Sequence, residues 1–167
     1  MLTTATPASD WRAQLRAGDI VTFRFPLAER GARQLGKTRP CLVLAVADCN
    51  GVPHALVAYG TSADTPANRG HELAIDGPDA MAAAGLNRPT RFVGARCVHV
   101  PLTSAQFRPR AGTGSPIMGR LAVDDRHALL DVLRAILREP ARPTGAKRRR
   151  GLRTAWPRPA PIATSPL

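Results

Sequence analysis

Residues 39–62 read RPCLVLAVADCNGVPHALVAYGTS, and this stretch decides the fold. It contains two apolar runs, 41–46 and 54–59, each of which is too short for a helix of ordinary length. Between them lies Asn50-Gly51, the dipeptide most typical of a two-residue hairpin turn. We therefore expect an antiparallel β-hairpin in the middle of the chain.

The sequence on either side of the hairpin predicts three more strands. They are rich in β-branched residues or alternate apolar with polar ones, and they lie at 19–25, 71–75 and 90–100. The first is expected to be half-buried. Five short strands joined by long loops, without the alternation of strands and helices that a parallel sheet needs, indicate a mainly β protein with a small, strongly bent antiparallel sheet or barrel.

Helices are expected before, between and after these strands. Capping residues predict short helices at 9–17 and 77–84, each followed by a Gly. The longest helix is expected at 124–138, where one face carries apolar residues at helical spacing. These residues are Leu129, Val132, Leu133, Ile136 and Leu137. The closing helix would cover one side of the sheet.

Charge separates the C-terminal end from the rest of the 167-residue chain, whose length suits one folded domain. Residues 140–167 hold seven of the 24 Lys and Arg, six Pro and none of the 12 acids. Such a composition cannot build a core, so we expect a disordered, basic tail. The chain would then consist of an N-terminal segment over 1–17, a domain over 18–139 and this tail.

A second basic stretch lies inside the domain, at 24–39. It contains one acid, Glu29, against Arg24, Arg30, Arg33, Lys37 and Arg39. Concentrated positive charge favours nucleic acid or an acidic protein as partner. Because the chain has only seven aromatic residues, no platform for base stacking is expected, and phosphate contacts would have to dominate.

Spacing argues against several common sites. Residues 31–38 match the phosphate-loop pattern G-x-x-x-x-G-K-[ST], but Pro40 follows where that site needs a helix. The three Cys and four His show no metal-binding spacing, so no metal or other cofactor is expected. No apolar run reaches the ~18 residues of a membrane span and no signal-peptide core is present, so we expect a cytoplasmic protein without membrane contact.

The candidate site lies at the open end of the hairpin. Arg39 and Thr61 are about eleven residues from the turn on either side, so an antiparallel hairpin makes them neighbours. A fixed guanidinium beside a hydroxyl suits a phosphodiester, because Arg binds the non-bridging oxygens and stabilises the added charge of the transition state. A surface Arg next to a strand-end Thr, with no function, fits the same pattern.

Several segments resemble the MazF/PemK (Kid-like) toxins of type II toxin–antitoxin modules, from about residue 18 to residue 137. They are Gly18-Asp19-Ile20-Val21, Arg39-Pro40-Cys41-Leu42-Val43-Leu44, Val57-Ala58-Tyr59-Gly60-Thr61-Ser62, Gly85-Leu86 and Met118-Gly119-Arg120-Leu121. The resemblance implies an SH3-like (CcdB-type) barrel that forms a homodimer. The chain departs from the family pattern in the basic loop, at residues 28–31, and in the long strand, at residues 96–99.

The resemblance also implies an activity. Members are mostly metal-independent endoribonucleases that cut single-stranded RNA, such as mRNA, at short sequences and leave a 2′,3′-cyclic phosphate. The family's catalytic Arg and Thr match Arg39 and Thr61. Residues expected to bind the substrate are Arg24, Arg30, Arg33, Lys37, Ser62 and His99. An acidic antitoxin would occupy the same groove, and operator DNA would be bound only in complex with it.

Two other interpretations remain open. The chain could be a catalytically inactive SH3-like module that binds nucleic acid or a protein partner through 24–39 and the tail. It could also be a metal-dependent nuclease, which cleavage in the presence of EDTA would exclude. Loss of cleavage in Arg39→Ala and Thr61→Ala would separate a ribonuclease from a binding module.

Overall fold

The computed structural model describes residues 10–26 and 36–138. The predicted disordered tail at 140–167 lies outside these residues. So do most of the basic loop and two of the residues expected to bind substrate, Arg30 and Arg33.

The described residues form one antiparallel sheet of six strands with three α-helices. The strands are β1 (Asp19–Arg24), β2 (Thr38–Cys49), β3 (Val52–Thr61), β4 (Glu72–Ile75), β5 (Thr90–Pro101) and β6 (Ile117–Arg120). The helices are α1 (Trp11–Gln14), α2 (Pro78–Ala84) and α3 (Asp125–Arg138). Across the sheet the strands follow the order β4-β5-β3-β2-β1-β6, and they curl into a half-barrel. This confirms the predicted fold class, a small antiparallel barrel closed by a C-terminal helix.

The central hairpin has the predicted turn. Asn50 and Gly51 have φ angles of 55° and 80°, as a type I′ turn requires, and the pairing runs from Cys49 with Val52 outward to Leu42 with Ala58. Since Thr38 already belongs to β2, a strand follows Lys37 where a phosphate loop needs a helix.

Two hydrophobic layers lie on the two faces of the sheet. Phe23, Val43 and Val57 belong to the first layer, in which Trp11 of α1 also packs, and Ile20 with Leu42 to the second, which α2 and α3 cover. The predicted alternation of β1 is confirmed, since Val21, Phe23 and Phe25 are buried while Thr22 and Arg24 are only partly buried; Ile20 is additionally buried in the second layer. The second layer includes Leu129 and Val132 of α3, and its packing presses that helix against the sheet.

The remaining differences from the predicted elements have local causes. Strand β6 was not predicted, because it is only four residues long and contains Gly119, a residue that is unfavourable inside strands. Helix α1 is shorter than predicted, because Leu15 has an extended backbone. Leu137 was predicted to face the sheet, but 63% of its surface is exposed. None of the helices within the described part of the chain has the length and hydrophobicity to cross a bilayer.

A cationic cavity at the open end of the hairpin

The open end of the β2–β3 hairpin brings Arg39 and Thr61 to one place. Continuing the observed pairing of Leu42 with Ala58 outward by three residues on each strand would set Arg39 opposite Thr61. Both residues line the same cavity, which has a volume of about 460 Å³. The structure therefore brings together the two residues that the sequence analysis selected first.

The wall of this cavity is strongly cationic. Its lining contains three guanidinium groups and several hydroxyl and amide groups, and among the described residues it contains no carboxylate. The polar and charged side chains are those of Thr38, Arg39, Thr61, Ser62, Asn87, Arg88, Thr90 and Arg110. Within the described residues none of these three Arg forms an ion pair, so their charge is left for an anion.

The Arg39 guanidinium is held by an aromatic ring. Its carbon lies 5.3 Å from the centroid of Tyr59, a residue that is 5% exposed. Burial raises the pKa of the neighbouring Cys41 thiol to about 12, so this thiol stays neutral near physiological pH. No thiolate therefore offsets the Arg39 charge.

Thr61 ends β3 at the bottom of the cavity. Only 5% of the residue is exposed, and its Oγ1 accepts a hydrogen bond from the backbone N–H of Ala63, at 3.1 Å. Because that bond uses an oxygen lone pair, the hydroxyl proton can still be donated to a bound oxyanion. The hydroxyl is thus fixed in position and keeps a donor for a ligand.

An ion-pair network supports the strand end behind Thr61. Arg91, its partner on β5, lies 2.8 Å from Asp64 and 3.6 Å from Glu72, and Asp64 also binds Arg69 at 2.7 Å. The hydrogen bond from Arg91 lowers the pKa of Asp64, and Arg91's own pKa is raised by the same bond. The charge of Arg91 is thus neutralised locally, unlike the charges in the cavity.

Gly60 lies at a close contact between the two strands of the hairpin. In the structure the space that a Cβ would fill is taken by the carbonyl group of Pro40 on β2. Gly60 therefore allows the two hairpin strands to approach each other, and this approach sets the spacing between Arg39 and Thr61.

Some of the other predicted substrate-binding residues line the cavity, and others lie elsewhere. Ser62 lines the cavity, and Lys37 is exposed just before β2. Arg24 lines a smaller cavity with Gln106 and Arg108, and its buried Nε has no hydrogen-bond partner among the residues that the structure describes. His99 is not part of the cavity lining, because it pairs with Leu56, five residues before Thr61 on β3.

Two cationic residues of the site were missed by the sequence analysis. Arg88 precedes β5 in a loop, and Arg110 lies in the loop before β6. Neither belongs to a motif, and only the fold brings them beside Arg39. Their position between turns rich in Pro and Gly was the one feature of the sequence that could have indicated a place in the site.

Comparison with known proteins agrees with this architecture. A family model described as PemK-like, MazF-like toxin of type II toxin-antitoxin system matches residues 16–137. The matched range includes all six strands and every residue that lines the cationic cavity. No curated protein matches the chain.

Proposed function

Since the chain belongs to the PemK-like, MazF-like toxins of type II toxin–antitoxin systems, we propose that it is a metal-independent endoribonuclease that cuts single-stranded RNA. Members of the family are generally endoribonucleases. The observation that carries the proposal is the cavity in which Arg39 and Thr61 meet, with two further guanidinium groups and no carboxylate among the described lining residues.

The proposed reaction is an internal transesterification. The RNA 2′-hydroxyl attacks the adjacent phosphorus, the bond to the 5′-oxygen breaks, and the products are a 2′,3′-cyclic phosphate and a 5′-hydroxyl. The 2′-hydroxyl gives its proton to water, and the leaving oxygen takes one from water. The transition state carries additional negative charge on the non-bridging oxygens, so donors aimed at those oxygens accelerate the step.

Arg39 and Thr61 would supply those donors. Arg39 contacts the phosphoryl oxygens with two N–H groups and acts through its positive charge rather than as an acid. Thr61 donates its hydroxyl proton to a phosphoryl oxygen and orients the 2′-hydroxyl. Arg88 and Arg110 would bind the neighbouring phosphates, and Ser62 offers a second hydroxyl at the cavity edge.

The partners follow from the same charge. The three Arg of the cavity form no ion pair within the described residues, so they would bind the carboxylates of an acidic antitoxin in place of RNA phosphates. Binding of the antitoxin would therefore block cleavage. We also propose that the toxin acts as a homodimer in the cytoplasm, where mRNA is translated. Operator DNA would be bound only by the toxin–antitoxin complex.

The test is cleavage of a mixed-sequence single-stranded RNA by the purified full-length chain, with product ends identified by mass spectrometry. We expect cyclic-phosphate ends, in EDTA as well as without it. Arg39→Ala should lower kcat by about 10²-fold or more, as loss of an oxyanion donor does in other enzymes. Thr61→Val should lower kcat while Thr61→Ser retains it, and Arg108→Ala, outside the cavity, serves as the matched control.

Two results would contradict the proposal. Cleavage that disappears in EDTA would indicate a metal-dependent nuclease. RNA binding without cleavage at any protein concentration, unchanged in Thr61→Val, would indicate an inactive binding module.

A further inference from the structure

The far end of the hairpin carries a cluster of three side chains that the function above does not use. Cys49, His54 and His99 each offer one potential ligand atom, and these atoms lie within 4.8 Å of one another. All three residues are partly exposed, so an ion could reach them from solvent.

Strand register explains why they meet. Cys49 pairs with Val52, so His54 is its diagonal neighbour across the turn and lies on the same face. His99 on β5 pairs with Leu56, two residues beyond His54, and is therefore diagonal to His54 as well. Three strands thus present one thiol and two imidazoles on one face of the sheet.

The distance between Cys49 and His99 is close to that across a bound transition metal. Cys49 Sγ lies 3.8 Å from His99 Nε2. Tetrahedral zinc, with bonds of about 2.3 Å to sulfur and about 2.0 Å to nitrogen, sets sulfur about 3.5 Å and nitrogen about 3.3 Å from the next nitrogen. The two imidazole rings stack with centroids 4.7 Å apart at 20°, so at least one ring would rotate to aim both lone pairs at one ion.

The hydrogen bond of His54 favours the binding of a metal ion by its ring. His54 Nδ1 is 2.8 Å from the carbonyl oxygen of Val52, which can only accept, so Nδ1 carries the proton and Nε2 keeps its lone pair. A backbone carbonyl that orients a histidine in this way is the usual support of a metal ligand.

We propose that Cys49, His54 and His99 bind one zinc ion, with water as the fourth ligand. One thiolate and two neutral imidazoles suit zinc, whereas magnesium and calcium require oxygen ligands. The ion would tie the end of the β2–β3 hairpin to the end of β5. His54 lies seven residues before Thr61 on β3, about 23 Å by the strand rise, so the ion takes no part in cleavage.

The experiment is a Co²⁺ titration of the reduced, untagged full-length chain. We expect one equivalent of Co²⁺ to give cobalt–thiolate charge-transfer absorption with the intense visible bands of a tetrahedral ion, and Zn²⁺ to displace it. Cys49→Ser should abolish the charge-transfer band. His54→Gln and His99→Gln should each weaken binding at least about 10-fold, as loss of a metal ligand or its support does.

Matched controls come from the same chain. Cys97→Ser removes a thiol from β5, and His127→Gln removes an exposed imidazole from α3; neither residue belongs to the cluster, and both variants should bind Co²⁺ as the natural chain does. Zn²⁺ should also raise the thermal midpoint of the natural chain and of both controls but not that of Cys49→Ser.

The proposal is overturned if one equivalent of Co²⁺ produces no thiolate band in the folded chain, or if the band persists in folded Cys49→Ser. The zinc-binding proposal can be tested independently of the proposed nuclease activity. Cleavage by Cys49→Ser should match that of the natural chain, and failure of cleavage in both would count against the nuclease alone.

Discussion

The guanidinium carbon of Arg39 lies 5.3 Å from the centroid of the Tyr59 ring, so the cation proposed to stabilise the transition state rests on a buried aromatic face. Arg96 approaches the same ring, with its guanidinium carbon 4.2 Å from the centroid. The ring stands two residues before Thr61 on β3. One strand therefore supplies both the hydroxyl and the support for the guanidinium.

Removal of this ring should lower both the rate of catalysis and the stability of the fold, because the ring also packs in the first hydrophobic layer. A cation–π contact contributes about 0.5–2 kcal/mol, so we expect Tyr59→Leu to lower kcat by about 3- to 30-fold. Tyr59→Phe keeps the ring and should stay within about threefold of the natural enzyme. Single-turnover cleavage, measured beside the thermal midpoint of each variant, checks this. A Tyr59→Leu enzyme that is folded and has full kcat would show that Arg39 needs no aromatic support.

The two cations that the fold adds to the cavity should control RNA affinity. For a single strand, each phosphate contact contributes about 0.7 to the slope of log K against log salt concentration. We expect Arg88→Ala and Arg110→Ala each to reduce the slope by about this amount and the double variant by about twice as much. The measurement is fluorescence anisotropy of a labelled RNA across a salt series.

Arg108→Ala is the control for this series, since Arg108 is exposed and lies outside the cavity. Its slope should equal that of the natural chain. If all three variants lose the same affinity, the positive charge acts over the whole surface, and the cavity is not the binding site.

The sequence was sufficient for those parts of the fold that local chemistry determines. Asn50-Gly51 specifies a turn whose twist suits a hairpin, and the apolar runs beside it fix the register. Gly85 with φ 67° ends α2 as predicted. Once the hairpin is known, counting outward from the turn is enough to place Arg39 and Thr61 at one end.

The remaining features depend on contacts between distant parts of the chain. Arg110 reaches Arg39 only because the loop after β5 returns beside β1, and no spacing in the sequence records this. His99 was assigned to the substrate groove, yet the β3–β5 register places it beside Cys49 at the other end of the strand. Its role in substrate binding stays a prediction. Cys49 and His54 lie close to the turn on either side of it. This spacing was the feature of the sequence that could have indicated a cluster.

Gly60 should be intolerant of any side chain. A Cβ at this position would overlap the carbonyl of Pro40 and press on Phe92, so β2 and β3 would have to separate. We expect Gly60→Ala to lower the free energy of unfolding by about 3 kcal/mol, the upper range for overpacking, and to abolish cleavage. Urea denaturation measures the first effect.

Gly77→Ala is the matched substitution, because the nearest atom to its Cβ would be 4.0 Å away and its φ of −69° suits alanine. It should change the free energy of unfolding by less than about 1 kcal/mol, the scale of helix-capping effects. Equal stability of the two variants would mean that the hairpin strands are not in close contact at Pro40.

The buried carboxylate of Asp19 should be the most sensitive charged group in the fold. Its side chain is 0% exposed, accepts a hydrogen bond from the backbone N–H of Arg16 at 2.8 Å, and accepts another from Arg120 Nε at 2.6 Å. The bond from Arg120 joins β1 to the edge strand β6. The same hydrogen bond raises the pKa of Arg120. Asp19→Asn would turn an acceptor of charge-assisted bonds into a neutral amide.

We expect Asp19→Asn to lower the free energy of unfolding by about 3 kcal/mol, near the lower limit for breaking a buried ion pair, because Arg120 itself is 41% exposed and can reach water. Asp131→Asn removes the exposed partner of Arg134 and should cost less than about 0.5 kcal/mol. In the double variant Asp19→Asn with Arg120→Gln, part of the loss should be recovered, since no cation then faces the amide. Urea denaturation of the natural chain, Asp19→Asn, Arg120→Gln and the double variant closes the cycle. Equal stabilities for Asp19→Asn and Asp131→Asn would show that the β1–β6 edge is held by packing alone.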